Sequence, residues 1–261
     1  MWKIRRSESP GFTNIIHFIS FHCKFGCKIG YITFEKRFKH TVIEFIKLTF
    51  FSVGVMSDIT TRTGRFNQIY SSSSSSGHGS YEENTVLFRS YLSEVIAKYN
   101  IKSILDLACG NFVSMKDIIV NNNIKYIGAD ISIKIIEHNK KTYPEQEFIC
   151  LDAITSDLSE YNCDLIIFRH VIQHLNYIDA QKAIANIYKS NSKYLFINHQ
   201  RGLQINQDSR IQEDWWANQM YNLNIAPFHL QNKELLYIKD DDKHVVDRGG
   251  QEECYSLYSI A

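Results

Sequence analysis

The chain has 261 residues, enough for one domain of ordinary size with an appendage. Apolar residues make up 44% and charged residues 22%, with only 3 prolines, so the composition excludes a collagen-like, mucin-like or wholly disordered chain. The formal charge of +1 gives no overall reason to expect nucleic acid or an anionic membrane as a partner.

Charge is distributed unevenly along the chain. Residues 1–55 contain nine cationic and three acidic side chains, a net charge of +6 that leaves the remainder at −5. We predict a basic extension over 1–55 that is dispensable or poorly ordered, an N-terminal segment over 56–84, and the main domain over 85–261. The functional body would then begin near Met56. The Ser/Gly-rich loop 71–80 is typical of a flexible linker or of a lid beside an active site.

The basic extension contains incomplete patterns for three kinds of function. It begins basic and continues apolar like a secretory leader, but Asn14 and His17 interrupt the apolar stretch and no cleavage site follows. The apolar segment 41–56 is too short for a membrane-spanning helix. Cys23 and Cys27 lack a second pair of ligands at zinc spacing. We therefore favour a basic segment with unrelated thiols over a leader, an anchor or a metal site.

The rest of the chain alternates between strand and helix patterns. The apolar strands are bounded by amphipathic helices, which is typical of a parallel sheet covered on both faces. Two late strands are separated by too few residues for a helical crossover, so they should pair antiparallel. We predict an α/β fold with a doubly wound, mostly parallel sheet and a C-terminal antiparallel edge hairpin. The predicted strands are 102–110, 125–132, 147–154, 163–170 and 193–199, then 234–240 and 254–260. The predicted helices are 85–100, 114–122, 133–143 and 179–190, with an optional helix between the third and fourth strands.

Polar residues follow the first four strands, where ligands bind in sheets of this kind. Asp106 and Gly110 end the first strand, and Asp130 ends the second, 20 residues beyond Gly110. That offset suits an acid accepting hydrogen bonds from a ribose diol. Asp152 follows the third strand, and Arg169 with His170 follows the fourth. No G-x-G-x-x-G pattern is present, so a dinucleotide ligand with a pyrophosphate is disfavoured.

These segments resemble the motifs of class I S-adenosylmethionine-dependent methyltransferases. ILDLACGNF is similar to the first motif, YIGAD to the second, FICLDA to the third and DLIIFRHVIQHL to the fourth strand with its turn. The resemblance covers residues 66–261. It extends to a smaller set of stand-alone methyltransferases whose substrates are little known. Their shared features are an F-x-x-I-Y segment, a Gly/Ser loop, an aromatic in the first motif, an Asn-His pair and an A-P-F segment. The matching residues here are Phe66, Ile69, Tyr70, Phe112, Asn198, His199, Ala226, Pro227 and Phe228.

The resemblance implies a Rossmann-like methyltransferase domain over 85–261 that binds S-adenosylmethionine. The first strand and its turn would hold the methionine part of the cofactor, the second the ribose and the third the adenine. The cofactor-binding residues implied are Asp106, Ala108, Gly110, Phe112, Asp130, Ile131, Asp152, Ala153 and Arg169. Alanine at position 108 and asparagine at position 111 depart from the family, which usually has glycine and often an acid there.

Three histidines are candidates for a general base. His170 and His199 end the fourth and fifth strands, and histidine suits removal of a proton from a hydroxyl near neutral pH. His174 lies four residues after His170, so the two would share a helix face, but a core histidine is an equal alternative for His174. The pair lacks the glutamate of a zinc-protease motif, so we expect no metal. Methyl transfer also runs largely by alignment, so a base is not strictly required.

The acceptor end of the site is less defined by the sequence. Four aromatic residues after the fifth strand would either cap an acceptor pocket or fill the core, and three arginines would bind an anionic acceptor or form surface ion pairs. They are Trp215, Trp216, Tyr221 and Phe228, and Arg169, Arg201 and Arg210.

The sequence therefore predicts a methyltransferase acting on an oxygen or nitrogen of a small-molecule or glycan-like acceptor. The alternative is a catalytically inactive protein of the same fold that acts by binding. We expect a cytoplasmic protein with reduced thiols at Cys109, Cys150 and Cys163, and neither nucleic acid nor membrane as a partner. The oligomeric state has no sequence signal.

Overall fold

The computed structural model describes residues 61–72, 78–207, 221–240 and 252–261. It divides the chain into two compact units, Met1–Thr60 and Thr61–Ala261, and the described residues all belong to the second unit. The basic extension 1–55 and the candidates Cys23, Cys27, Arg210, Trp215 and Trp216 lie outside the described residues. None of the helices in the described ranges has the length and apolar character that a membrane crossing requires.

Seven strands form one sheet, in the order β3-β2-β1-β4-β5-β7-β6. The first five run parallel, and β7 is antiparallel to both β5 and β6. The mostly parallel sheet and the antiparallel hairpin are confirmed, with β7 inside the sheet and β6 at its edge. The strands are β1 (Ser103–Leu107), β2 (Lys125–Asp130), β3 (Glu147–Cys150), β4 (Leu165–Phe168), β5 (Tyr194–Arg201), β6 (Glu234–Lys239) and β7 (Glu252–Ser259).

Five α-helices accompany the strands in the described part of the chain. They are α1 (Arg62–Ser72), α2 (Val86–Tyr99), α3 (Lys116–Asn122), α4 (Ile133–Thr142) and α5 (Tyr177–Ile187). The side chain of Asn176 caps α5 by accepting a hydrogen bond from the backbone N–H of Asp179, which satisfies one of the free donors of the first turn.

The optional helix between the third and fourth strands does not form. A turn replaces it, because the backbone N–H groups of Thr155 and Ser156 both donate to the carbonyl of Asp152. The side chain of Asn186 on α5 donates to the carbonyls of Ala153 and Ser156 and so anchors this loop. Strand β3 ends at Cys150, earlier than the predicted end at 154.

Alternate residues of the central strands pack on opposite faces of the sheet, as the period of a strand requires. On one face, Leu105 and Leu107 join a buried cluster with α5. On the other, Ile104 and Ile167 join a cluster with α2, α3 and α4. Helices therefore cover both faces, which accounts for the apolar character of the strands.

The strand order reverses between β1 and β4. The chain runs outward from β1 through β2 to β3, then returns to place β4 on the other side of β1. Loops leaving β1 and β4 at their carboxyl ends therefore diverge and open a crevice, which is the ligand position in doubly wound sheets.

Candidate active site

A cavity of about 490 Å³ lies at the carboxyl ends of β1 to β4, within the size range of small-molecule sites. Its wall is built mainly from the loops after these four strands, together with α1, the segment around Gly79, and residues of the β6–β7 hairpin. The predicted site residues that line it are Asp106, Ala108, Gly110, Asp130, Ile131, Asp152, Ala153, Arg169, His170 and His174. In the described ranges no three His, Cys, Asp or Glu side chains are grouped as a metal site would need.

The turn after β1 has an unusual backbone. Ala108 and Gly110 have φ angles of 74° and 53°, in the left-handed region that favours glycine. The backbone N–H groups of Ala108 and Cys109 both donate to the carbonyl of Ala129 on β2, which holds the turn in place. A Cβ at Gly110 would lie 3.5 Å from the hydroxyl of Tyr70 on α1, so the turn and α1 approach closely across the cavity.

Asp130 is a buried carboxylate in the cavity wall. Its Oδ2 accepts a hydrogen bond from the backbone N–H of Gly110 (3.2 Å), and its Oδ1 accepts one from the backbone N–H of Ser132 (2.9 Å). Burial raises the pKa of Asp130 to about 6, although both hydrogen bonds favour the charged form. Each oxygen keeps lone-pair capacity for a further donor, as a bound diol would supply.

Asp106 is a second buried carboxylate in the same wall. It accepts a hydrogen bond from the hydroxyl of Tyr126 (2.8 Å). Burial raises the pKa of Asp106 to about 7, and the hydrogen bond from Tyr126 and the charge of Arg169 offset this only in part. A cationic ligand group beside Asp106 and Asp130 would favour their charged forms.

Helix α1 closes one side of the cavity through contacts that sequence reasoning missed. Arg62 forms ion pairs with Asp152 (2.9 Å) and Asp179 (2.6 Å), and so joins α1 to the β3 loop and to α5. Asn67 accepts a hydrogen bond from the hydroxyl of Ser132 (2.7 Å) beside Asp130. Phe66 and Tyr70 of the F-x-x-I-Y segment line the cavity. Gly79 and Ser80 of the Ser/Gly-rich loop also line it, and Gly79 contacts Arg169 of the β4 loop.

Arg169 is held in the cavity wall by three neighbours. Its Nε donates to the hydroxyl of Tyr255 (3.2 Å), its terminal nitrogen donates to the carbonyl of Gly79 (2.8 Å), and its guanidinium carbon lies 4.6 Å from the ring centre of Phe88. These contacts fix the guanidinium before any ligand arrives.

His170 follows Arg169 and has a φ of 52°, so its backbone leaves β4 through a tight turn. Its backbone N–H donates to Oδ1 of Asn198 on β5 (2.7 Å). The expectation that His170 and His174 share one helix face is wrong. His170 lies in the turn after β4, whereas His174 belongs to a short 3₁₀ helix, Ile172–His174, that begins after this turn. Both imidazoles nevertheless line the cavity.

Comparisons with known proteins agree with this geometry. Residues 104–192 match the family model described as a methyltransferase domain. The chain carries a methyltransferase domain. The match begins in β1, ends after α5 and includes Asp106, Asp130 and Arg169.

Solved structures show the same fold. Magnesium protoporphyrin IX methyltransferase (ChlM) from Synechocystis PCC 6803, with bound SAM, is similar at 14% identity and a TM-score of 0.51, over 80% of this chain and 96% of that one. N-methyltransferase NodS from Bradyrhizobium japonicum WM9, in complex with S-adenosyl-L-homocysteine, is similar at 10% identity and a TM-score of 0.51, over 74% and 97%. The search of curated proteins found no match. At these identities the structures establish the class I fold.

The structure places two predicted site residues outside the cavity wall of the methyltransferase domain. Phe112 is buried against Tyr126, Tyr143 and Phe148 (ring centres 4.9–5.4 Å apart), because its φ of 64° turns the chain back onto the core. The expectation that Phe112 contacts the cofactor is therefore not supported by its position.

His199 is also separated from the cavity by its own hydrogen bonds. Its Nδ1 accepts from the backbone N–H of Leu223 (3.3 Å), so its proton lies on Nε2, which faces the hydroxyls of Ser256 (2.9 Å) and Tyr258 (3.0 Å). Burial lowers the pKa of His199 to about 4. With both ring nitrogens engaged in the core, His199 does not meet the requirement that a base reach its substrate.

Of the acceptor-end candidates, Tyr221 and Phe228 pack together in the core, with ring centres 5.8 Å apart. Arg201 pairs with Glu234 on β6. Of the alternatives given above, Tyr221 and Phe228 therefore fill the core, and Arg201 forms an ion pair. Of the thiols, Cys109 and Cys163 are buried, whereas Cys150 is exposed at the end of β3.

The β6–β7 hairpin supplies wall residues that no sequence motif singled out. Glu253 and Tyr255 on β7 and Asp240 after β6 line the cavity of the methyltransferase domain. They reach it because β7 pairs with β5 and places Tyr255 opposite Asn198. The sequence pattern predicts the hairpin itself. Which hairpin residues face the cavity is decided by the position of β7 beside β5, which the pattern does not show.

Proposed function

We propose that the chain is an S-adenosylmethionine-dependent methyltransferase that acts on an oxygen or nitrogen of a small-molecule or glycan-like acceptor. The observation that carries the proposal is the meeting of Asp106, Gly110 and Asp130 in one cavity at the strand-order reversal. All three belong to the part of the chain that matches the methyltransferase domain family.

The residues of the cavity fit this cofactor. A ribose diol supplies the two donors for which Asp130 has capacity, and the ammonium and sulfonium groups supply the positive charge that buried carboxylates require. Asp152 and Ala153 are proposed to face the adenine, with Asp152 held in place by Arg62. Asp106, Ala108 and Gly110 are proposed to bind the methionine part.

In this proposal the protein works mainly by alignment. The bound cofactor supplies an activated methyl group on its sulfonium. Arg169, His170 and His174 line the other part of the wall and orient the acceptor, while α1 and Gly79 restrict water. Holding donor and acceptor in line can provide much of the rate enhancement without further chemistry from the protein.

The size of the cavity and the polar side chains in its wall support the proposed class of acceptor. A volume of about 490 Å³ accommodates the cofactor with a small acceptor or the end of a glycan. We also propose a cytoplasmic location, which is supported by the free thiols of Cys109, Cys150, Cys163 and Cys254 in the described residues.

Calorimetric titration of the full chain with S-adenosylmethionine and S-adenosylhomocysteine tests the proposal. We expect Asp130→Asn to weaken binding by more than about tenfold, the scale of one hydrogen bond to a charged group. Asp117→Asn is the matched control, because Asp117 is exposed on α3 and outside the cavity wall. A folded wild-type chain that binds neither compound would contradict the proposal and favour the inactive binding protein.

A further inference from the structure

The orientation of His170 is set by Asn198, a residue on the neighbouring strand. Oδ1 of Asn198 accepts the backbone N–H of His170 (2.7 Å), and Nδ2 donates to Oε1 of Glu253 (2.8 Å). A backbone donor on one side and a carboxylate on the other admit only this orientation of the amide. The second hydrogen of Nδ2 is then directed at Nδ1 of His170, 3.3 Å away.

Nδ1 of His170 therefore faces an amide donor. A proton on Nδ1 would point at the hydrogens of Asn198 and be repelled, whereas an unprotonated Nδ1 accepts from them. The Nε2 of Gln173, 3.0 Å from the same atom, can add a second donor. The proton of the neutral ring is consequently on Nε2, at the edge of the ring that packs against Gly79.

We propose that Asn198 is a positioning residue that holds His170 as the neutral Nε2–H tautomer, so that His170 meets the methyl acceptor as a hydrogen-bond donor and takes no proton from it. The assignment of the tautomer stands on these contacts alone, and its meaning for the acceptor rests on the proposed function. The side chain of His170 is 29% exposed and lines the cavity, so the ring is accessible to a ligand.

Burial and the positive charge of Arg169 favour a neutral His170 ring over a charged one. Burial, with smaller contributions from Arg169 and His174, lowers the pKa of His170 well below its usual value. Glu253 is the carboxylate facing the ring, 3.8 Å from Nδ1, and its Oε1 also accepts the Asn198 amide. The acceptor must then be nucleophilic without losing a proton to His170, which favours groups that are already ionised or carry a free lone pair at neutral pH.

Nuclear magnetic resonance of the full chain labelled with ¹³C,¹⁵N-histidine tests this assignment. The His170 signals are identified by their loss in His170→Gln, and the ring nitrogen and Cδ2 shifts report the tautomer. We expect Nε2–H in the wild type at pH 7. Asn198→Asp replaces the amide donor with a carboxylate oxygen, so we expect His170 to become protonated on Nδ1 and its pKa to rise. Glu253→Gln is the matched control, because the new amide oxygen still accepts from Asn198, and it should leave the tautomer unchanged.

The double variant Asn198→Asp/Glu253→Gln removes the contact between two carboxylates and covers the case in which Asn198→Asp does not fold. It should show the same change at Nδ1. A wild-type His170 protonated on Nδ1, or an unchanged tautomer in whichever of the two Asn198→Asp variants folds, would overturn the inference. Failure of S-adenosylhomocysteine to bind the wild type would instead contradict the proposed function and leave the tautomer result standing.

Discussion

Replacing Asp106 by asparagine should stabilise the fold. Asp106 is 5% exposed, and burial raises its pKa from 3.8 to about 7. A shift of that size corresponds to about 4 kcal/mol of preference for the neutral form in the folded state. Asparagine is neutral, has nearly the same shape, and its carbonyl oxygen can still accept the hydroxyl of Tyr126.

The gain depends on pH in a defined direction. At pH 8 the carboxyl of Asp106 is ionised in both states, so the wild type bears the full cost of burying the charge. Between pH 7 and 3.8 the folded state binds the proton first, and the cost falls by about 1.4 kcal/mol for each pH unit. We therefore expect Asp106→Asn to raise the free energy of unfolding by up to about 4 kcal/mol at pH 8 and by about 2 kcal/mol at pH 5.5.

Urea denaturation of the full chain without cofactor, followed by far-ultraviolet circular dichroism at both pH values, measures this difference. Asp117→Asn, an exposed site, controls for the loss of one negative charge and should change the free energy by less than about 0.5 kcal/mol. An Asp106→Asn gain that is absent at pH 8, or equal at the two pH values, would refute the reasoning. Under the proposed function the same variant binds S-adenosylmethionine more weakly, because it lacks the buried charge.

Three further predictions test separate parts of the structure. Ala108→Gly should raise the free energy of unfolding by up to about 1 kcal/mol in the same assay, because φ is 74° at this residue and the exposed methyl contributes no packing. A loss of stability would contradict the inference that the left-handed φ strains Ala108. His199→Leu should lower it by about 1–3 kcal/mol, since the buried N–H of Leu223 loses its acceptor, while calorimetric affinity for S-adenosylhomocysteine stays within about twofold; a large loss of affinity would restore His199 to the site. Arg62→Gln should weaken the affinity for S-adenosylhomocysteine and speed hydrogen exchange in α1, because Arg62 loses its ion pairs with Asp152 and Asp179. Unchanged exchange would show that these ion pairs do not hold α1 in place.

The sheet could be predicted because its strands are buried on both faces. Such strands are nearly continuous apolar runs, and their crossovers leave little freedom of direction. Asp106, Asp130, Asp152 and Arg169 follow from the same logic, because a polar residue at or just beyond the carboxyl end of a buried strand must lie at the edge where the strands end. The structure places all four in the cavity wall.

Other parts of the site depend on contacts that sequence spacing does not encode. Arg62 meets Asp152 across 90 positions of sequence, so α1 could not be assigned to the cavity beforehand. Phe112 and His199 match the family pattern by position, but a left-handed φ and a buried hydrogen-bond network turn them toward the core. The role of Asn198 follows only from the pairing of β5 with β7, which brings Glu253 to it.

The central claim is tested most directly by a crystal structure of the full chain with S-adenosylhomocysteine. We expect both ribose hydroxyls to lie within hydrogen-bonding distance, below about 3.2 Å, of the carboxylate of Asp130, with the adenine beside Asp152. A ligand seated elsewhere, or a ribose that does not contact Asp130, would contradict the proposed site.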